Sequence, residues 1–187
     1  SWPWPREVYG PLLDYLKRNG AKTVAFDVLY TEASAYGVAD DEAFGAAIER
    51  FGNFVGAVFL GTQTEQAAIW PDSAKPNPIE IQGLEAWLAA HPQAAADVVS
   101  PGAAFPVPEV AGKVAWLGNV SASADGDSIY RRAAPFRTFD GKVLPTLGFA
   151  AWFAGLGKDA GAVSLESRAL VVGGRRIPLD AAGRMIL

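Results

Sequence analysis

The chain has 187 residues, 16 basic and 20 acidic, with half of its residues apolar and 19% charged. Such a chain buries one core, which excludes disordered, collagen-like and fibrous classes. The net charge of −4 comes with no basic block, so nucleic acid is not an expected partner. With no cysteine and a single histidine, His91, thiolate zinc sites, iron–sulfur clusters, disulfides, Cys nucleophiles and His-clustered metals are excluded. Any metal must be held by oxygen, and no cofactor or metal site is expected.

Pro5 followed by Arg6 to Asn19 carries Val8, Leu12, Leu13 and Leu16 at helical spacing, with Gly20 placed as a C-cap. Pro11 intrudes, so the firm helix is predicted from about Pro11 onward. Thr23 to Tyr30 is a nearly unbroken apolar run with one acid, Asp27, the pattern of a strand buried on both faces. Asp40-Asp41-Glu42 opens an Ala-rich helix ending at Arg50, and a second buried strand, Asn53 to Leu60, follows. Gly61 to Pro108, rich in Pro, Ala and Gln, reads as an irregular surface excursion with one short helix near Leu84 to Ala90.

Strands return at Val114 to Val120 and Ser128 to Phe139, around a polar turn at Ser121 to Asp127 and before a tight Asp140-Gly141 turn. Pro145-Thr146 caps a helix, Leu147 to Leu156, apolar on nearly every side and therefore expected to be central. Its length is far below the roughly 18 to 20 residues of a membrane span. Ala169 to Val172 and Arg175 to Leu179, joined by Gly173-Gly174, predict a hairpin, with a last strand from Arg184. The order predicts a single α/β domain over residues 1–187, a mixed β-sheet flanked by helices with a C-terminal β-hairpin. The abrupt ends, Ser1-Trp2-Pro3-Trp4-Pro5 and Met185-Ile186-Leu187, read as those of a piece of a longer chain.

Asp27 is the most informative single residue, because an acid inside an apolar strand costs several kcal/mol unless paired or placed at a strand end. Either it forms a carboxylate pair with Glu32 at a cleft beyond the sheet, or it caps a loop or pairs with Arg6 or Arg131. Asp125-Gly126-Asp127 has the look of a calcium-loop fragment, but Ser128-Ile129-Tyr130 supplies no further ligands, which favours a plain turn. In Arg131-Arg132 and Arg175-Arg176 alternate side chains face opposite ways, so one of each pair can meet an anion. His91 reads as a helix-end residue. Trp2, Trp4 and Tyr9 form either an interfacial belt or a lid on the core.

Taken in order, Trp2-Pro3-Trp4-Pro5-Arg6, Ala25-Phe26-Asp27-Val28-Leu29-Tyr30, Asp40-Asp41, Gly118-Asn119-Val120, Asp125-Gly126, Arg131-Arg132, Pro145-Thr146-Leu147, Gly174-Arg175-Arg176-Ile177-Pro178-Leu179-Asp180 and Gly183-Arg184 resemble the second type of CHASE domain. That module is an extracellular sensor of cyclases, histidine kinases and other bacterial signalling proteins. The motifs leave Gly61 to Phe105 unmatched. The resemblance implies a periplasmic or extracellular domain of an inner-membrane protein, anchored by a helix before it and several after it, with a cytoplasmic cyclase or kinase output. Members usually carry a further hydrophobic strand upstream of the Trp-Pro motif, which this chain lacks and which would pair beside Thr23 to Tyr30, leaving an exposed edge. Ser128-Ile129-Tyr130 departs from the family pattern, which runs more directly from Asp-Gly into the Arg pair.

The leading expectation is a non-enzymatic binding module in which a small molecule or ion docks near Asp27, Glu32, Asn119, Asp125 and Arg131 and biases a two-state equilibrium. A homodimeric scaffold that binds no ligand is the second. A haloacid-dehalogenase-like phosphatase is the third, although Leu29 stands where that class places its general acid.

Overall fold

The computed structural model describes residues 3–61, 67–157 and 161–187. A 3-10 turn over Arg6–Val8 leads into α1 (Tyr9–Arg18), so the helix starts two residues before Pro11. Pro11 is tolerated there because a first-turn N–H has no intrahelical acceptor to lose. The predicted eight-residue strand at Thr23 to Tyr30 shrinks to β1 (Val24–Ala25). It pairs in parallel only with the first residues of β2 (Phe54–Gly61), and β5 (Gly102–Ala104) takes up the far end of β2 in the antiparallel sense. Asp27, beyond that pairing, is exposed rather than buried, which corrects the sequence reading. The acid sits past the strand because no second neighbour covers it among the described residues.

β2 is the buried strand of the pattern. It also pairs in parallel with β6 (Trp116–Asn119) along Val55 to Val58. Phe54, Val58 and Leu60 meet one core with α1, α2 (Val38–Phe51) and α5 (Pro108–Ala111). Val55 faces the other way, onto Ala150 and Ala154 of α6 (Leu147–Leu156). Helices thus cover both faces, and each fully buried apolar side chain contributes about 1.5–3 kcal/mol. α6 begins where Thr146 was expected to cap it, but only Ala150, Phe153 and Ala154 are buried. The helix lies on the sheet rather than in the centre, with Phe149 and Trp152 half-exposed. Gly118 allows this packing, since a Cβ there would lie 2.6 Å from Leu147 Cα. Gly118→Ala is expected to cost about 1–3 kcal/mol, read as a lower urea midpoint; an unchanged midpoint would show that α6 can move away freely.

The predicted excursion at 61–108 is a working part of the fold. It contains β3 (Ile81–Gln82), α3 (Leu84–Ala90), α4 (Pro92–Val98), β4 (Val99–Ser100) and β5. Trp70, Trp87, Ala94, Val98 and Ala103 are all buried. Asn77 bridges two strands, donating from Nδ2 to the carbonyls of Leu117 (2.9 Å) and Val143 (3.2 Å) and accepting from Leu117 N–H at 2.8 Å. Pro-rich composition concealed this because short strands carry too few residues to show a period. His91 ends α3 and opens α4, its Nδ1 2.8 Å from the Trp87 carbonyl.

β7 (Arg132–Ala133), β8 (Phe136–Phe139) and β9 (Lys142–Pro145) follow β6. β8 and β9 form a hairpin through Asp140 and Gly141, at φ 48° and 71°, as the tight turn requires. β10 (Val163–Glu166), β11 (Ala169–Val172) and β12 (Arg175–Pro178) continue a sheet of order β12-β11-β10-β3. Gly173 and Gly174, both at positive φ, make the predicted β11–β12 turn. β13 (Met185–Ile186) returns the chain end to β7. The α/β class with mixed sheets, flanking helices and a C-terminal hairpin therefore holds.

Asp40 and Asp41 are buried in α2, behind its Gly37 N-cap, instead of capping it. Asp40 accepts the N–H groups of Arg6 (2.7 Å) and Glu7 (2.8 Å) and the Ser34 hydroxyl. Asp41 takes the Arg6 guanidinium and the Ser34 N–H. Burial works against the Asp40 charge, yet the Ser34, Arg6 and Glu7 hydrogen bonds and the Arg6 charge outweigh it and hold the carboxyl below its ordinary range. Asp180 is depressed in the same way, burial being overcome by Arg184 and by the N–H groups of Arg184 and Ala182. A depressed carboxyl stabilises the fold above its unfolded pKa, about 3.9, and loses that stabilisation as pH falls through the folded value. The urea midpoint is expected to be flat from about pH 7 to 5 and to fall below about pH 4; a midpoint that rises on acidification would contradict the assignment.

Candidate ligand-binding cleft

Parallel β1, β2 and β6 point their carboxyl ends the same way. α6 starts beside that edge, where Asn119 and Thr146 form an isolated parallel bridge. The segment after β6 is pinned by Ser121, whose hydroxyl donates to the Leu60 carbonyl and accepts its N–H, each at 2.6 Å. Between these parts lies a cleft of about 690 Å³. Its apolar lining includes Leu147, Phe149 and Trp152 of α6 and Met185 of β13. Its polar side is Asn119, Ser121, Ser123 and three arginines, Arg132, Arg137 and Arg184, with Asp27 and Asp97 also lining it.

The arginines differ. Arg132 donates from Nη1 to Asp125 Oδ1 at 2.9 Å and lies 3.7 Å from Asp180. Arg184 donates from Nε to Asp180 Oδ2 at 3.2 Å. Arg137 has no acid within ion-pair reach among the described residues; its Nη2 meets only Ser123 Oγ, at 3.5 Å, and its Nε is buried with no acceptor. Asn119 is 3% exposed, and its Oδ1 accepts the Ser121 N–H at 2.8 Å. That bond fixes the orientation of the amide, with Nδ2 as its donor end. Thr146 provides no side-chain cap, so the first N–H groups of α6 are unsatisfied by it.

The five residues singled out from sequence separate here. Asp27 and Asn119 line the cleft. Asp125 is one residue removed, held by Arg132, on a turn closed by the Ser128 N–H to Asp125 carbonyl bond at 2.9 Å. Arg131 points elsewhere, pairing with Asp127 at 2.8 Å and Asp125 at 3.6 Å. Glu32 lines a different hollow with Pro3, Trp4 and Tyr36, so it forms no carboxylate pair with Asp27 in the cleft; its carbonyl accepts Arg6 Nη2 at 2.6 Å. Trp4 is 58% exposed while Tyr9 packs on Phe26 and Phe44, which divides the supposed aromatic lid; Trp2 lies outside the described residues. Sequence reasoning missed Arg137 and the α6 amino end. The strand-then-Thr146-then-helix order was the available signal for the latter, while Arg137, alternating with apolar strand residues, gave none.

Fold and cleft together define an open α/β domain with polar and apolar groups gathered at the carboxyl edge of its parallel strands, the place where ligands sit in such sheets. The chain belongs to the CHASE2 domain family, which matches it over residues 1–187, the middle segment without motifs included. That family comprises extracellular sensory domains of signalling proteins. No curated protein and no solved structure matches the chain, and no described helix is long and apolar enough to cross a membrane.

Proposed function

We propose that this domain is the periplasmic ligand-binding sensor of a membrane-anchored bacterial signalling protein and that occupancy of the cleft biases a cytoplasmic cyclase or kinase output. The observation that carries this reading is the cleft itself, lined by Arg137 without an acid partner among the described residues and by the apolar side chains of α6. A ligand shifts the output only by its differential affinity for two states, and the cleft borders several elements able to differ between them: the β1 edge, α6 and the chain end at β13. Catalysis is assigned to the output domain.

Gly148 supplies the test. It lines the cleft, and a Cβ there would meet nothing within 4 Å, so Gly148→Trp is expected to place its indole in the cleft, with a thermal melt confirming that the variant folds. In the intact membrane-anchored protein, dialysed periplasmic extract is expected to change cyclic-nucleotide formation or phosphoryl transfer in the wild type and not in Gly148→Trp. Equal responses from the two would remove the cleft from the mechanism.

A second reading, a homodimeric scaffold, is favoured by one surface. Val8 of the 3-10 turn and Leu12 and Tyr15 of α1, at i, i+4 and i+7, are 44%, 44% and 57% exposed. Sedimentation at rising concentration tests it: Leu12→Asp is expected to abolish association, and a wild-type chain that stays monomeric would end this reading.

A further inference from the structure

The donors in the cleft specify more than the presence of a ligand. Arg132 and Arg184 are already matched by Asp125 and Asp180, so they contribute little free positive charge. Arg137 is the unmatched cation among the three, and a buried guanidinium Nε without an acceptor is a group that native proteins seldom leave unsatisfied. Asn119 adds a second donor, Nδ2, from a side chain almost wholly out of solvent. The start of α6, without a side-chain cap, adds the positive end of a helix dipole. Of these, the Arg137 Nε has no acceptor among the described residues.

The rest of the lining sets the size and charge of what supplies it. A volume of about 690 Å³ exceeds what a lone inorganic ion fills and lies in the range of small-molecule sites. Leu147, Phe149 and Trp152 offer nothing polar except the Trp152 indole N–H, so the remainder of the ligand is apolar. Asp27 and Asp97 are exposed; solvent screens them, but they oppose a doubly charged phosphate more than a single negative charge. A carboxylate has two coplanar acceptor oxygens that match the guanidinium fork.

We propose that the cleft binds a small organic monocarboxylic acid, its carboxylate held by Arg137 and Asn119 beside the amino end of α6 and its apolar body against Phe149 and Trp152. This rests on the reading of the cleft as the sensor's ligand site. No bond is made or broken.

The probes are phenylacetate, the neutral phenylacetamide and phenyl phosphate, titrated into the chain and followed by calorimetry and thermal melting. Phenylacetate is expected to bind saturably and raise the melting temperature, with the amide and the phosphate weaker. Arg137→Met is expected to weaken phenylacetate by roughly tenfold or more. Arg137→Lys, which keeps the charge and loses the fork, should fall between, and Arg131→Met, outside the cleft, should bind as the wild type does. Equal binding of acid and amide, or undiminished binding by a folded Arg137→Met, overturns the carboxylate assignment. If that binding is nonetheless lost in Gly148→Trp, the cleft stands as a ligand site of other chemistry. Binding untouched by Gly148→Trp overturns both readings, and no binding by any probe overturns the carboxylate proposal alone when the purified wild type retains another molecule in the cleft.

Discussion

Arg6→Met is expected to remove about 3–5 kcal/mol of folding stability, because it strips the cation from two buried carboxylates. Asp41 is 1% exposed and Asp40 6%. The Arg6 guanidinium reaches Asp41 and the Glu32 carbonyl and covers the Tyr30 ring with its Cζ 4.8 Å from the centroid, while its backbone N–H serves Asp40. The substitution therefore removes the side-chain link from the 3-10 turn to α2 and the 31–37 loop, while the backbone N–H bonds to Asp40 remain. An exposed pair of the same charges would contribute only about 0–1 kcal/mol; burial makes the difference. Urea titration at neutral pH measures it. The double variant Arg6→Met/Asp41→Leu should recover much of the loss, since removing both charges also removes their desolvation cost. A single-variant loss under about 1 kcal/mol would mean that water reaches Asp41 and satisfies it.

Phe44→Ala is expected to cost about 3–5 kcal/mol through lost burial and an unfilled cavity. Phe44 is fully buried in α2, with the rings of Tyr30, Tyr9, Phe54 and Phe26 centred 5.0, 5.6, 6.0 and 6.1 Å away. Phe26 and Tyr30 lie in the segment that β1 leaves without a second strand, so this aromatic cluster, and not strand pairing, holds it against the sheet. Hydrogen exchange should accelerate at Phe26–Tyr30 in Phe44→Ala beyond the global loss of stability. Exchange there that follows only the global change would show that the backbone bonds, such as Phe26 N–H to the Val55 carbonyl at 3.2 Å, hold the segment unaided.

The sequence patterns that survived folding were those written in long, local periods. α1, α2, β2 and α6 each carry enough residues for an apolar spacing to show, and Gly173-Gly174 and Asp140-Gly141 announce turns through their backbone freedom. Two of the errors share one cause. An apolar run was taken to be paired on both edges at Thr23 to Tyr30, and a Pro-rich stretch was taken to be unpaired at 61–108, yet strand neighbours are decided by tertiary contact. Asp27 looked buried for that reason. The cleft was legible at Asn119 through the Gly118-Asn119-Val120 motif of the family resemblance, whereas Arg137 becomes distinctive only when Arg132 and Arg184 are seen to have found Asp125 and Asp180. Charge balance of that kind is a property of the folded chain.

Native mass spectrometry of the chain recovered from the periplasm, wild type beside Gly148→Trp, decides whether the cleft holds a ligand. A small molecule is expected to stay on the wild type and none on the variant, with the variant melting as a folded domain. Two bare chains, or the same molecule retained by both, would contradict it.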